Sequence, residues 1–429
     1  MSYEPITRWA FAHEQGPRTS TFYYRHRFKA RQRPRRVTVP AVPSVRQLAS
    51  ADNLIDTYYS MRSRAGWAPG PDNFSYADWS PSEVADIMRG LSAAVLAGSY
   101  RPGPTRHVRI PKPRGGHRTL SVGNLSDRVV AAALNTALGP LWESTFLPCS
   151  YGFRKDRGVW ALLAELGAAV ARHGLWVLVL DDVKDAFPSV VLADVLADHG
   201  RHILEQSVVA LAGSVLRGGD DPQRLRGLAQ GSPYSPAGLN VRLHHALDLG
   251  ANQGHHPFRH YFRYADDLTF LCRSVSEGHQ ALSQVSRLLE QNDFTLKDGA
   301  DVQDLRTGQK AQLLGFLLSK RDGKLRLEPG RNAWTKLGQA LVRSHETANP
   351  TETARMVVNG WVEAYGPAFE DWRTHTLDRL LMMAARLGLR EVTSPEGLAD
   401  QCELAWRNWD TFCRRVAEKP LGATIEGAG

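Results

Sequence analysis

Arg259-His260-Tyr261-Phe262-Arg263-Tyr264-Ala265-Asp266-Asp267-Leu268-Thr269-Phe270-Leu271-Cys272 decides the fold of this chain. Aromatic and branched residues lie on both sides of two adjacent carboxylates, a pattern that predicts two strands joined by a tight turn. Neighbouring aspartates repel, and burying them without a cation costs on the order of several kcal/mol per charge. A hard divalent ion held by oxygen ligands removes that cost. A bare Asp-Asp pair reads equally as a solvated turn. The apolar strands on either side weigh toward a metal site.

A second carboxylate source lies upstream. Leu175-Trp176-Val177-Leu178-Val179-Leu180 is an unbroken apolar run, as a strand buried on both faces requires. It ends in Asp181-Asp182-Val183-Lys184-Asp185-Ala186-Phe187, so acids appear where the strand leaves the core. Two buried strands that each deliver Asp at one end form the minimum of a two-metal phosphoryl-transfer centre.

Three motifs in order make the reading specific. Asp182 with Phe187 five residues on, Gln230-Gly231-Ser232-Pro233, and Tyr264-Ala265-Asp266-Asp267 resemble the palm of a reverse transcriptase. The similarity is greatest to bacterial types: group II intron, retron-like and short defence-associated enzymes. The resemblance implies an α+β right-hand polymerase, with a ferredoxin-like antiparallel palm sheet, fingers and a helical thumb. It implies that Asp182, Asp266 and Asp267 bind two Mg²⁺ ions, with Mn²⁺ as an alternative. Asp181 and Asp185 are additional acids that receive no ligand role. Phe187 is expected to stack under the incoming ribose and exclude a 2′-hydroxyl. Gln230 offers an amide to the nucleotide or template, and Gly231 lets backbone approach a base pair.

Val108–Val122 reads as two strands around Gly115-Gly116, with several cations on one hairpin. Lys112 and Arg118 fit the need of a triphosphate for cationic donors. The segment resembles the fingers hairpin of the same family, whose matching Lys and Arg contact the nucleotide. Ser150-Tyr151-Gly152-Phe153-Arg154 is also similar to group II intron enzymes, and Arg154 is expected to touch the template. One departure stands out. Where relatives show Asn-x-x-Lys-Thr, this chain has Lys297-Asp298-Gly299-Ala300-Asp301, so the Lys proposed there as general acid is missing from its usual place. Lys297 and Lys310 are the nearby substitutes. Leu313–Leu317 resembles the primer-grip strand.

The chain has 429 residues, 42% hydrophobic and 23% charged, enough for two or three domains with an ordinary soluble composition. No apolar run spans a bilayer and no secretory leader is evident, so a cytoplasmic location without membrane contact is expected. Cys149, Cys272, Cys402 and Cys413 form no CxxC pair, which argues for reduced thiols rather than zinc or disulfides. The net charge of +9 is concentrated in residues 1–47, which hold ten Lys or Arg against two Glu. Arg27, Arg31 and Arg33, interleaved with Tyr23, Tyr24 and Phe28, suit phosphate and base contact. A solvated tail accounts for the arm taken alone equally well.

The expected organisation is a basic arm over 1–47, fingers over 48–170, palm over 171–319 and helical thumb over 320–429. The expected activity is RNA-directed DNA synthesis from an RNA template, dNTPs and a DNA primer or product strand. By analogy the template is a dedicated non-coding RNA in antiphage defence. The absence of a zinc-binding HNH pattern favours such a shorter type. A group II intron-derived or CRISPR-associated enzyme, an RNA-binding splicing factor and a template-independent nucleotidyltransferase are the alternatives. Oligomeric state and primer type are not encoded legibly.

Overall fold

A computed structural model describes residues 42–63, 68–111, 116–252, 260–297, 299–370, 376–392 and 394–418. The basic arm with Arg27, Arg31 and Arg33, and the hairpin tip with Lys112, lie outside the described residues. After a single helical turn at Val45–Leu48 come α1 (Ala51–Arg62) and α2 (Pro81–Leu96). A capping box starts α2: Ser80 Oγ accepts the Glu83 N–H, and the Glu83 carboxylate accepts the Ser80 N–H. The predicted hairpin follows as β1 (Arg106–Pro111) and β2 (His117–Val122). Two helices, α3 (Leu125–Thr145) and α4 (Val159–His173), lead to the central sheet.

The apolar run becomes β3 (Val177–Asp182), whose Val177, Leu178 and Val179 are wholly buried. The strand continues through both aspartates rather than ending before them. After it come α5 (Leu192–Gly200), α6 (Gln206–Arg217) and α7 (Ser235–Leu243), then β4 (Tyr261–Tyr264) and β5 (Asp267–Cys272). Helix α8 (Val275–Glu290) leads to β6 (Asp301–Asp304). The sheet order is β4-β5-β3-β6, and every neighbouring pair is antiparallel. With helices between β3 and β4 and between β5 and β6, this is the split βαββαβ connectivity of a ferredoxin-like sheet.

One face of β3 packs through Val177 and Val179 into a core shared with α3, α6 and α8. Leu178 faces a second core with Leu162, Leu166, Phe262 and Leu271. A small sheet adjoins this second core: β7 (Ala311–Leu313), β8 (Phe316–Arg321) and β9 (Lys324–Pro329). The single strand expected over Leu313–Leu317 is therefore a hairpin. Leu314 and Gly315 have φ of +47° and +90°, and two successive left-handed residues make the tight turn that fits strand twist.

The C-terminal helices are α9 (Arg331–Ser344), α10 (Pro350–Ala364), α11 (Thr376–Arg386) and α12 (Pro395–Glu418). Helix α12 returns to α4, where Trp409 meets Trp160 edge-on at 5.6 Å between ring centres. Trp160 Nε1–H also donates to Ala364 O at 3.0 Å. Helix α4 runs without interruption across residue 170, the boundary expected between fingers and palm. Among the described residues, no helix is long and apolar enough to cross a membrane.

Arg263 on β4 is the hub beneath the turn. Its Nη2 donates to Asp248 Oδ2 at 2.6 Å and its Nε to Asp248 Oδ1 at 2.8 Å, with both side chains wholly buried. Its Nη1 donates to Asn240 Oδ1 at 2.8 Å and to Ala265 O at 3.0 Å, and Nη2 also reaches Ser150 Oγ at 3.0 Å. Asp248 ends a π-helical turn (His244–Asp248) and also accepts the Tyr261 hydroxyl. Removing one partner of such a pair leaves an uncompensated buried charge. We expect Arg263→Met to cost about 3–5 kcal/mol in urea unfolding. The double variant Arg263→Met/Asp248→Leu should recover most of that loss. A double variant no more stable than the single would contradict this account.

Candidate active site

The turn between β4 and β5 consists of Ala265 and Asp266, with Tyr264 opposite Asp267. Ala265 has φ +56°, a left-handed conformation that is unusual for a residue with a Cβ. Two contacts hold it there. Arg263 grips its carbonyl, and Gly152 lies so close that a Cβ at that position would stand 2.3 Å from Ala265 N. The Asn240 amide donates to Gly152 O at 2.7 Å, which presses this loop onto the turn.

The three expected acids converge on this turn. Asp182 is the cross-strand partner of Asp267, and the Val183 N–H donates to Asp266 O at 3.0 Å. Burial pushes the Asp266 carboxyl upward and the Asp182 charge adds to this, while Arg118 and Arg263 oppose it. Asp267 is exposed as a residue, yet neighbouring chain crowds its carboxyl enough to cost it hydration. That crowding first, then the charges of Asp266 and Asp182, pushes its carboxyl up to about 7; Lys297 and Arg118 pull it down. Mutually repelling carboxylates of this kind suit a hard divalent cation. Among the described residues, no three His, Cys, Asp or Glu side chains enclose an ion as they stand, so gathering these three around one needs side-chain rotation.

Lys297 also belongs here. Its Nζ lies 3.0 Å from Asp182 Oδ2. Lys310 does not; it faces Glu328 at 3.9 Å. Arg118 is exposed on β2 and acts electrostatically on both Asp266 and Asp267. Phe187 sits half-buried on the single helical turn Ala186–Ser189, entered through Asp185 at φ +44°. Its carbonyl accepts the Leu228 N–H, so it is tied to the loop that carries Gln230 and Gly231.

Two expectations change. Gly231 has φ +117°, and a Cβ there would stand 2.8 Å from Ser121 O. Its close approach is to β2, reinforced by the Ser121 N–H donating to Gln230 O at 2.7 Å. Arg154 does not offer its charge to a template. It is buried, paired with Glu143 at 3.0 Å, and its Nη1 donates to the carbonyls of Leu147 and Ser150 at 2.9 Å. Its guanidinium staples a loop. Sequence reasoning missed Arg263 and Asp248 altogether; an Arg between aromatic strand residues was the available signal.

Residues 110–299 match the family model described as reverse transcriptase (RNA-dependent DNA polymerase). This stretch is a reverse transcriptase domain. It contains the aspartates, strand β2 with Arg118, the Gln230–Gly231 loop and Lys297, and it implies the right-hand polymerase fold. Protein YkfC of Escherichia coli is 29% identical over 193 residues, covering 43% of this chain and 50% of that protein. The COX1/OXI3 intron 1 protein of Saccharomyces cerevisiae is 29% identical over 208 residues, 45% of this chain and 23% of its own length. A 91 kDa protein in the cob intron of Schizosaccharomyces pombe is 26% identical over 164 residues, 37% and 20% respectively. The chain thus spans half or less of the curated relatives it matches.

The raised Asp267 carboxyl carries a pH signature. In the folded domain it stays protonated up to about 7, whereas unfolded it ionises near 3.8. Stability is therefore withdrawn as pH rises between these values in the absence of divalent ions. In EDTA, Asp267→Asn should melt above wild type by a margin that grows from pH 5 to pH 8, about 2–4 °C at the upper end. Mg²⁺ should raise the wild-type melting temperature at pH 8 more than the variant's. Equal pH slopes in EDTA would count against the shift.

Proposed function

We propose that this chain is an RNA-directed DNA polymerase whose reaction centre is the Asp182–Asp266–Asp267 cluster. The observation that carries the reading is the register between β3 and β5. It brings an acid at the end of one strand against the acidic turn of another, where the charge of Arg118 on the hairpin is also felt. The three carboxylates would hold two divalent ions, Mg²⁺ or Mn²⁺. When bound, such ions activate the primer 3′-hydroxyl oxygen and neutralise the leaving pyrophosphate.

The chain's own groups supply position and selection. Arg118, with Lys112 from the hairpin tip, draws the nucleotide triphosphate toward the acids. The Phe187 ring stacks under the ribose and leaves no room for a 2′-hydroxyl. The Gln230 amide faces the nucleotide or template. Arg27, Arg31 and Arg33 in the arm bind nucleic acid backbone in a salt-dependent manner. The C-terminal helices serve as a thumb along the duplex. The intron-encoded names of two relatives favour an intron-derived setting, with intron-containing RNA as template. Nothing in the comparisons favours the antiphage setting expected from the sequence.

The test is primer extension by the purified protein on RNA with all four dNTPs, with its co-purifying RNA sequenced. We expect complementary DNA. Asp266→Asn or Asp267→Asn should lower the rate by about a hundred- to a thousandfold, several kcal/mol of metal stabilisation converted to rate. Product formed without any template would overturn the reading. Separately, Phe187→Ala should admit ribonucleotides about ten- to a hundredfold better relative to dNTPs, measured by competition on the same template.

A further inference from the structure

Lys297 is held beside Asp182 by its backbone as well as by its side chain. The Lys297 N–H donates to Asp182 O at 2.9 Å, and the Lys184 N–H donates to Thr295 O at 2.9 Å. Between them Val183 and Leu296 form an antiparallel bridge. Residues 295–297 therefore run as a short extra strand along the end of β3, and this pairing fixes where the Lys297 side chain starts. Its ammonium then lies 3.0 Å from Asp182 Oδ2, while about half of the side chain remains exposed. Its charge is also felt at Asp267.

From this geometry, and resting on the metal-site reading above, we propose that Lys297 is a displaceable counter-ion of Asp182. Ammonium and a bound divalent ion would draw on the same Asp182 carboxylate, so each would lower the other's occupancy there. An Asp182 carboxylate that turns toward an ion gives up its bond to Lys297. The backbone pairing keeps the released ammonium beside the acids, where phosphate oxygens are its natural anionic partners. Lys297 thus sets the metal affinity of the nucleotide-free site. It is a positioning residue and has no proton-transfer role in this proposal.

The test is Mn²⁺ titration of the nucleotide-free protein, read by electron paramagnetic resonance, with amine-labelling mass spectrometry alongside. Lys297→Met should tighten Mn²⁺ binding about two- to fivefold, the range of a solvent-exposed ion pair. Lys297→Arg, which keeps a cation on Asp182, should stay near wild type. Saturating Mn²⁺ should raise the labelling of Lys297 in the wild-type protein without a matching rise at Lys310. Wild-type Mn²⁺ binding that Asp266→Asn abolishes but Lys297→Met leaves unchanged or weakens would overturn this inference alone. Failure of both wild type and Lys297→Met to bind Mn²⁺ would overturn the metal-site reading itself, and the counter-ion role with it.

Discussion

The buried Arg263–Asp248 pair is the constraint on which the active-site geometry depends. A wholly buried guanidinium is tolerated only when its hydrogen-bonding capacity is met, and here its five contacts reach four different parts of the chain. One direction reaches the π-helical turn, one the Asn240 helix, one the Ser150 loop and one the carbonyl of Ala265. Segments more than a hundred residues apart are referred to a single side chain. The left-handed Ala265 is held by this arrangement, and the position of Asp266 and Asp267 follows from it. Without the pair, β4 could still lie beside β5, and the turn would be held against the end of β3 by the β3–β5 register and the Val183 N–H on Asp266 O alone.

The front of the site is assembled by backbone contacts. Ser121 of β2 bonds to Gln230, and Gly231 closes onto Ser121, so the cationic hairpin is joined to the loop beside Phe187. Leu228 bonds back to Phe187, and Thr295–Lys297 pairs along the end of β3. Such contacts have no side-chain signature. They depend on register, and a shift of one residue would turn Lys297 to the opposite face of its extended segment.

This explains what could be read from the sequence. The unbroken apolar run and the paired acids marked β3, the β4–β5 hairpin and acids at their ends, because burial on both faces and charge at a strand end leave local patterns; the choice of Asp182 over Asp181 came from the resemblance. The split sheet order came from the resemblance, since spacing does not report which strands become neighbours. Arg154 was misread because a charge in a motif carries no sign of whether Glu143 will meet it. Leu314 and Gly315 were read as strand because leucine rarely enters a left-handed turn. Arg263 and Asp248 were passed over because their pairing crosses an element boundary, and β4 is buried on both faces, so no alternation marks the inward residue.

Behind the turn and in front of it, charge is treated in opposite ways. Behind it, Arg263 and Asp248 compensate each other with near-ideal geometry, and that region has no electrostatic demand left. In front, Asp182, Asp266 and Asp267 are three neighbouring acids, opposed among the described residues by Lys297, by Arg118 and, at Asp266, by Arg263. The raised Asp267 carboxyl is the consequence of that imbalance. Because the rear pair immobilises the turn, the acids cannot relieve their repulsion by moving the backbone apart. Relief has to come from protonation, from the lysine, or from a cation that enters from solvent. A fixed excess of negative charge at a solvent-reached turn is the condition under which divalent ions are gathered there.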